Sequence, residues 1–197
     1  LGLDKSAVKE LSYAHKNQDA SSVGRQAAIL KRLVWWTVLL GMLVMIAGAP
    51  WFSEWAFNDA TFTMPIRWLA LAVLFTQLTK SRLAILQGLQ KHAPLAKANV
   101  LGNFMALAIT VPLYYFYGID AIVPAIIIAS AISMIVTLYF SEKLTLPKTK
   151  ITNHQAFQEG QGMIGLGVTL SISGLIALLT TYLLQIFIKF LGFLFEL

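Results

Sequence analysis

Residues 33–53 read LVWWTVLLGMLVMIAGAPWFS, twenty-one residues without a charge. At about 1.5 Å of rise per residue, roughly 20 residues cover the hydrocarbon core of a bilayer. Lys31 and Arg32 stand immediately before this run and Glu54 immediately after it. Trp35 and Trp36 lie at its basic end, and Trp51, Phe52 and Trp55 at the other. Amphipathic rings settle at headgroup depth, so aromatics at both ends suit a membrane-spanning helix better than a soluble core.

Composition extends that reading to the whole chain. Of 197 residues, 57% are hydrophobic and 12% charged, about half the charge of an average soluble domain. Mean hydropathy is +0.71. A disordered chain needs the opposite balance, and a soluble domain this apolar would expose large greasy patches. There is no cysteine, which excludes a disulfide framework and a thiolate metal site. Net charge is +6, but the basic residues gather in breaks between apolar runs, as in membrane proteins, and no nucleic-acid partner is expected.

Charges divide the chain into five expected spans: residues 33–53, 65–88, 98–119, 121–141 and 160–188. The second contains Arg67, Lys80 and Arg82 and qualifies only if they are tolerated. Lys5, Lys9, Lys16, Arg25, Lys31 and Arg32 precede the first span. Residues 54–64 carry no Lys or Arg, residues 90–97 carry Lys91 and Lys97, residues 118–120 carry none, and residues 142–159 carry Lys143, Lys148 and Lys150. This alternation requires every span to cross and places the N-terminus in the cytoplasm. Tyr114, Tyr115, Phe116 and Tyr117 mark the outer end of the third span.

In the first thirty residues Ala7, Leu11 and Ala14, with Val8 beside them, have helical spacing. Asn17-Gln18-Asp19 breaks the pattern, and Ser21 or Ser22 can cap a second helix leading into the first span. Two readings stay open: an amphipathic segment whose basic residues rest on anionic lipid headgroups, or a solvated linker. The chain starts at Leu1 with polar sequence and no signal-peptide pattern, so it is expected to be an interior piece of something longer.

The second span carries the most informative residues. At about 100° per residue, Thr76, Gln77, Lys80, Ser81 and Gln87 fall on one side with the small Ala84, and Arg82 nearly opposite. A charge inside a bilayer costs a few kcal/mol unless it finds water, a partner or the headgroups. Lys80 either lines a hydrated cationic cavity with Gln77 and Gln87, attractive to a phosphate, or snorkels as an anchor of a tilted helix. The cavity reading is preferred for Lys80 and the anchor reading for Arg82 and Arg67. Asn99 and Asn103 share a face of the third span and either extend that cavity or bond a neighbouring helix, the commoner use. Pro112 can kink the third span, and Pro124 fits the first turn of the fourth.

Ala121, Ala125, Ala129, Ser133 and Thr137 form a small-residue seam in the fourth span, and Gly167, Ser171, Gly174, Thr181 and Gln185 another in the fifth. Both read as packing surfaces. No Asp or Glu lies inside a span, His15, His92 and His154 fall in cytoplasmic segments, and no HExxH helix, P-loop or nucleophile elbow is present. Neither an enzyme nor a cofactor is expected.

Several strings resemble the bacterial polysaccharide (O-antigen) flippases of the multidrug and oligosaccharidyl-lipid exporter superfamily. Residues 2–9 (GLDKSAVK) with Asn17-Gln18-Asp19 resemble the loop before their third helix, and 81–90 (SRLAILQGLQ) the end of their fourth. Residues 99–103 (NVLGN) resemble the start of the fifth. Residues 112–119 (PLYYFYGI) with 122–125 (IVPA) resemble the hairpin of the fifth and sixth, and 174–188 the seventh. The similarity reaches residue 188; the tail 189–197 (KFLGFLFEL) does not resemble the family's continuation and is expected to follow a truncation.

The resemblance implies an all-α polytopic membrane protein, its five transmembrane helices corresponding to helices three to seven of a two-lobed transporter. The expected layout is a cytoplasmic amphipathic segment 1–32, a four-helix membrane bundle 33–141, a cytoplasmic loop 142–159, and a fifth helix with atypical tail 160–197. It further implies passage of a polyprenyl-pyrophosphate-linked oligosaccharide across the bacterial inner membrane, with Lys80, Gln77, Gln87 and Asn103 as substrate-binding residues. Lipid-linked oligosaccharide, anionic membrane lipids and other polysaccharide-assembly proteins are the implied partners. The alternatives are a drug or cation exporter, which is expected to need an intramembrane carboxylate, and a non-transporting membrane scaffold.

Overall fold

A computed structural model describes residues 2–17, 20–143 and 151–195, with side chains from 21 to 143 and from 151 to 188 in the latter two stretches. Gln18 and Asp19, read as a helix break, lie outside the described residues, as do Lys148 and Lys150. The described chain is helical without strands: α1 (Gly2–Lys16), α2 (Ala20–Phe57), α3 (Thr63–Gly88), α4 (His92–Tyr117), α5 (Ile122–Glu142), α6 (Asn153–Glu159) and α7 (Gln161–Phe195). Short 3-10 turns at Ala60–Phe62 and Gly118–Ala121 join α2 to α3 and α4 to α5.

Four helical runs are long and apolar enough to cross a membrane: Ser21–Phe57, Ala60–Gly88, His92–Glu142 and Gln161–Ile188. The sequence leads to five spans, and the difference lies in the third run of 51 residues, where the link between α4 and α5 is itself helical. Gly118 reverses the chain there, with φ 57° and ψ −132°, while its N–H bonds the Tyr114 carbonyl. Only glycine adopts that region without strain. A Cβ at this position meets nothing within 4 Å, so the cost of Gly118→Ala is conformational alone. G118A is expected to destabilise the α4–α5 hairpin by about 1–3 kcal/mol, read from thermal unfolding in detergent. An unchanged midpoint contradicts the reversal at Gly118.

The basic connectors gather at one end of the bundle. Ser12 Oγ of α1 donates to the Gly88 carbonyl at the close of α3, 3.2 Å away. The Gly2 N–H donates to Ser171 Oγ, about three turns into α7, at 3.0 Å. Lys31 of α2 lies in electrostatic reach of Arg82 and Glu142. The opposite end holds the turn where Asp59 accepts from the Thr61 N–H at 2.9 Å, and the Gly118 reversal.

The core sits at the basic end. Ala7, Leu11 and Ala14 of α1 are buried with Ile29, Leu30 and Val34 of α2, Ala84 and Ile85 of α3, Ala156 of α6 and Met163 of α7. The apolar side of α1 is therefore taken up by protein, and neither headgroups nor solvent receive it. Away from this end the helices present Leu, Ile and Phe outward, as lipid-facing surfaces do. The 38 residues of α2 measure about 57 Å at 1.5 Å each, so residues 20–32 project past the span as the same helix.

Thr152 and Gln155 form a capping box that starts α6 within the 142–159 connector. At its close Arg25 grips Glu159 with both nitrogens, Nε to Oε2 at 2.7 Å and Nη2 to Oε1 at 2.5 Å. The Arg25 hydrogen bond holds the Glu159 carboxyl below the usual carboxylate range. A depressed carboxyl stabilises the fold above its unfolded-state pKa, and the contribution disappears as pH falls through the folded value. Acidification through the folded-state value of Glu159 is expected to loosen α6 from α2 in spin-label distances, and E159Q to show that loosened distribution already at neutral pH. Identical distances in both conditions and in E159Q contradict the link.

Candidate functional site

Helix α5 lies between α3 and α4, packing closely on both, while α3 and α4 barely touch. The small side chains of α5 permit this. Ala125 and Thr137 are buried, as is Ala121 in the turn before them, and Gly102 of α4 brings its α-carbon side against Ser133, where a Cβ would stand 3.6 Å from the Ser133 Cα. The sequence reading of this seam as a packing surface describes those contacts.

The same arrangement leaves a groove of about 200 Å³ between α3 and α4, floored by α5. Thr76, Thr79, Lys80 and Leu83 come from α3, Ala98, Asn99 and Asn103 from α4, and Ser130, Ser133 and Thr137 from α5. Eight of the ten lining residues carry a polar group, although their carbon atoms make up most of the wall. Lys80 stands eight residues from Gly88, roughly 12 Å from the basic end. Asn103, eleven residues into α4, stands at comparable depth on the other wall.

The Thr79 and Ser130 hydroxyls donate to carbonyls of their own helices, at 2.8 Å to Phe75 and 2.8 Å to Ile127, and turn their oxygens' remaining acceptor capacity to the groove. Among the described residues no side chain bonds the Lys80 ammonium or the Asn99 and Asn103 amides. The groove therefore offers three ammonium donors and two uncommitted amides, a set suited to an anion with neighbouring hydroxyls. Among the described residues no three His, Asp or Glu side chains are placed to hold a metal ion.

Of the four sequence-expected residues, Lys80 and Asn103 come together here, and Asn99 joins them. Gln77 and Gln87 do not line the groove. Gln77 is turned about 110° from the centre of the groove side of α3, toward the packed side. Gln87 is exposed on the Lys80 side but two turns nearer the basic end. Ser81 and Ala84, grouped with Lys80 by sequence, are buried, and Ala84 belongs to the core. One broad polar face thus splits into a groove side and a packed side. The α5 hydroxyls escaped the sequence reading because Ser133 and Thr137 were absorbed into the small-residue seam; their position at its basic, Lys80-level half was the available signal.

The second seam is used over half its length. Gly167 and Ser171 meet Gly2 and Leu3 of α1, whereas nothing lies within 4 Å of a Cβ on Gly174, and Thr181 and Gln185 are exposed.

A family model described as polysaccharide biosynthesis protein matches residues 22–195. No curated protein and no solved structure matches the chain. The match runs to residue 195 and so takes in residues 189–195 of the tail read as atypical, which continue α7 as helix. It does not include residues 2–9, one of the strings on which the resemblance was drawn. With its apolar helices and this match over most of its length, the chain is a membrane protein that belongs to the polysaccharide biosynthesis protein family.

Proposed function

We propose that the chain is part of a transporter, not an enzyme, that flips polyprenyl-pyrophosphate-linked oligosaccharide across the bacterial inner membrane for surface polysaccharide assembly. The observation that carries this reading is the groove in which Lys80 faces Asn99 and Asn103 over the α5 hydroxyls. A cation at that depth costs roughly 2.5–3.5 kcal/mol unless hydrated or paired, and a groove lined by polar groups supplies the hydration. The lipid tail stays in the bilayer while the head follows the groove. Lys80 attracts the pyrophosphate, and Asn103 and Asn99 bond phosphate or sugar oxygens. Gln87 receives the head at the basic mouth; Gln77 takes no part.

In this reading α4 and α5 cross separately, since 51 residues of helix would measure about 76 Å, more than twice the hydrocarbon thickness. That gives five crossings, and the positive-inside rule puts the basic end and α1 in the cytoplasm. The five helices then form part of a two-lobed carrier working beside other polysaccharide-assembly proteins.

Deleting the gene from its bacterium tests the function. Loss of surface polysaccharide with lipid-linked oligosaccharide accumulating on the inner leaflet is expected. Normal polysaccharide, or its loss without that accumulation, contradicts the proposal.

A further inference from the structure

A second cavity, about 920 Å³, opens between α2 and α7 at the basic end. Among the described residues α7 packs chiefly on α1 and, beyond the core contact of Met163, makes no close backbone approach to α2, which leaves this cleft unfilled. Its volume is at the upper end of the roughly 300–1,000 Å³ typical of small-molecule sites. The walls are apolar, with Trp36 on α2 and Val168, Ile172 and Leu175 spaced along one side of α7. The mouth is different. Arg32 and His154 stand there, and no carboxylate is among the lining residues. Arg32 gives one nitrogen to Asn153 Oδ1, which orients the guanidinium and leaves further N–H donors uncommitted. The nearest acid on α6, Glu159, is held by Arg25.

An apolar slot at headgroup depth with a cationic, acid-free mouth has the form of an anionic amphiphile. We infer that this cleft is a binding site for an anionic phospholipid, its phosphate on Arg32 and His154 and an acyl chain between Trp36 and the 168–175 side of α7. The site is distinct from the Lys80 groove, which lies across the bundle on α3, α4 and α5, and the inference does not depend on what that groove carries.

Native mass spectrometry of the full chain, equilibrated with mixed phosphatidylglycerol and phosphatidylcholine vesicles of equal chain length, tests it. Retention of phosphatidylglycerol over phosphatidylcholine by roughly fivefold is expected, the effect of one cation at a headgroup. R32Q brings the two lipids to parity, V168W lowers retention of both by filling the slot, and K16Q, at an exposed cation of α1 that lines neither site, changes neither. Glycerol phosphate, which lacks the tails, does not compete. Equal retention of the two lipids by the unaltered chain overturns the proposal. So does a preference removed by K16Q and kept by R32Q, retention unaffected by V168W, or displacement by glycerol phosphate.

Discussion

Replacing Lys80 with alanine is expected to lower surface polysaccharide at least tenfold while the amount of protein in the membrane stays the same. The magnitude follows from what is lost. A hydrogen bond to a charged group contributes about 1.5–3 kcal/mol, and 1.4 kcal/mol is a factor of ten. Lys80 is the one cation lining the groove, so among the lining residues no neighbour can replace it against a pyrophosphate. The amount of protein is unaffected because the Lys80 side chain is exposed and bonds no described residue. K80R, which keeps the charge, should restore part of the export, and R82A, whose side chain leaves α3 about 160° away on the helical wheel, should cost little. Quantitative immunoblotting of the polymer checks all three. Normal export by K80A would remove Lys80 from the mechanism, and equal losses in K80A and R82A would mean general damage to α3.

The second large effect is structural. Leu11→Ala is expected to destabilise the docking of α1 by about 2–5 kcal/mol, the range for truncating a buried leucine. Leu11 is fully buried, and its β-carbon stands where a side chain at position 88 would be, so that α1 seats on the glycine that ends α3. Helix α7 makes its close backbone contacts with the rest of the described molecule through α1 and the seven-residue α6. Loosening α1 therefore also loosens α7. Hydrogen exchange in detergent should rise in α1 and in the first turns of α7, leaving α4 and α5 unchanged. Faster exchange in α1 with α7 still protected would show that α1 does not hold it.

The charge-free runs, the placement of basic connectors at one end and the buried side of α1 were all readable from sequence, because each rests on a contrast: charge against none, or Ala7, Leu11 and Ala14 against Lys5 and Lys9. Which helix touches which was not readable. Small-residue seams mark a face that meets some neighbour, but the rest of each span is so evenly apolar that the pattern does not say which neighbour. Hence α5 could not be placed between α3 and α4, and Gln77 could not be separated from Lys80, which sits only about 60° away on the wheel. The site was half legible for the same reason. Lys80 and Asn103 are conspicuous as polar residues in lipid, whereas Ser130, Ser133 and Thr137 look like the small residues that any helix contact uses. Whether α1 lay on lipid, in water or on protein depended on Gly88 and Gly167, distant in sequence and uninformative until their neighbours are seen.

The central claim is that water reaches the Lys80 groove at membrane depth. The chain has no cysteine, so single substitutions report without background. In sealed vesicles, K80C and N103C should react with a membrane-impermeant anionic thiosulfonate supplied at the basic side, while L43C and F104C, exposed positions away from the groove, should stay unreacted. K80C and N103C as inert as L43C and F104C would contradict the account.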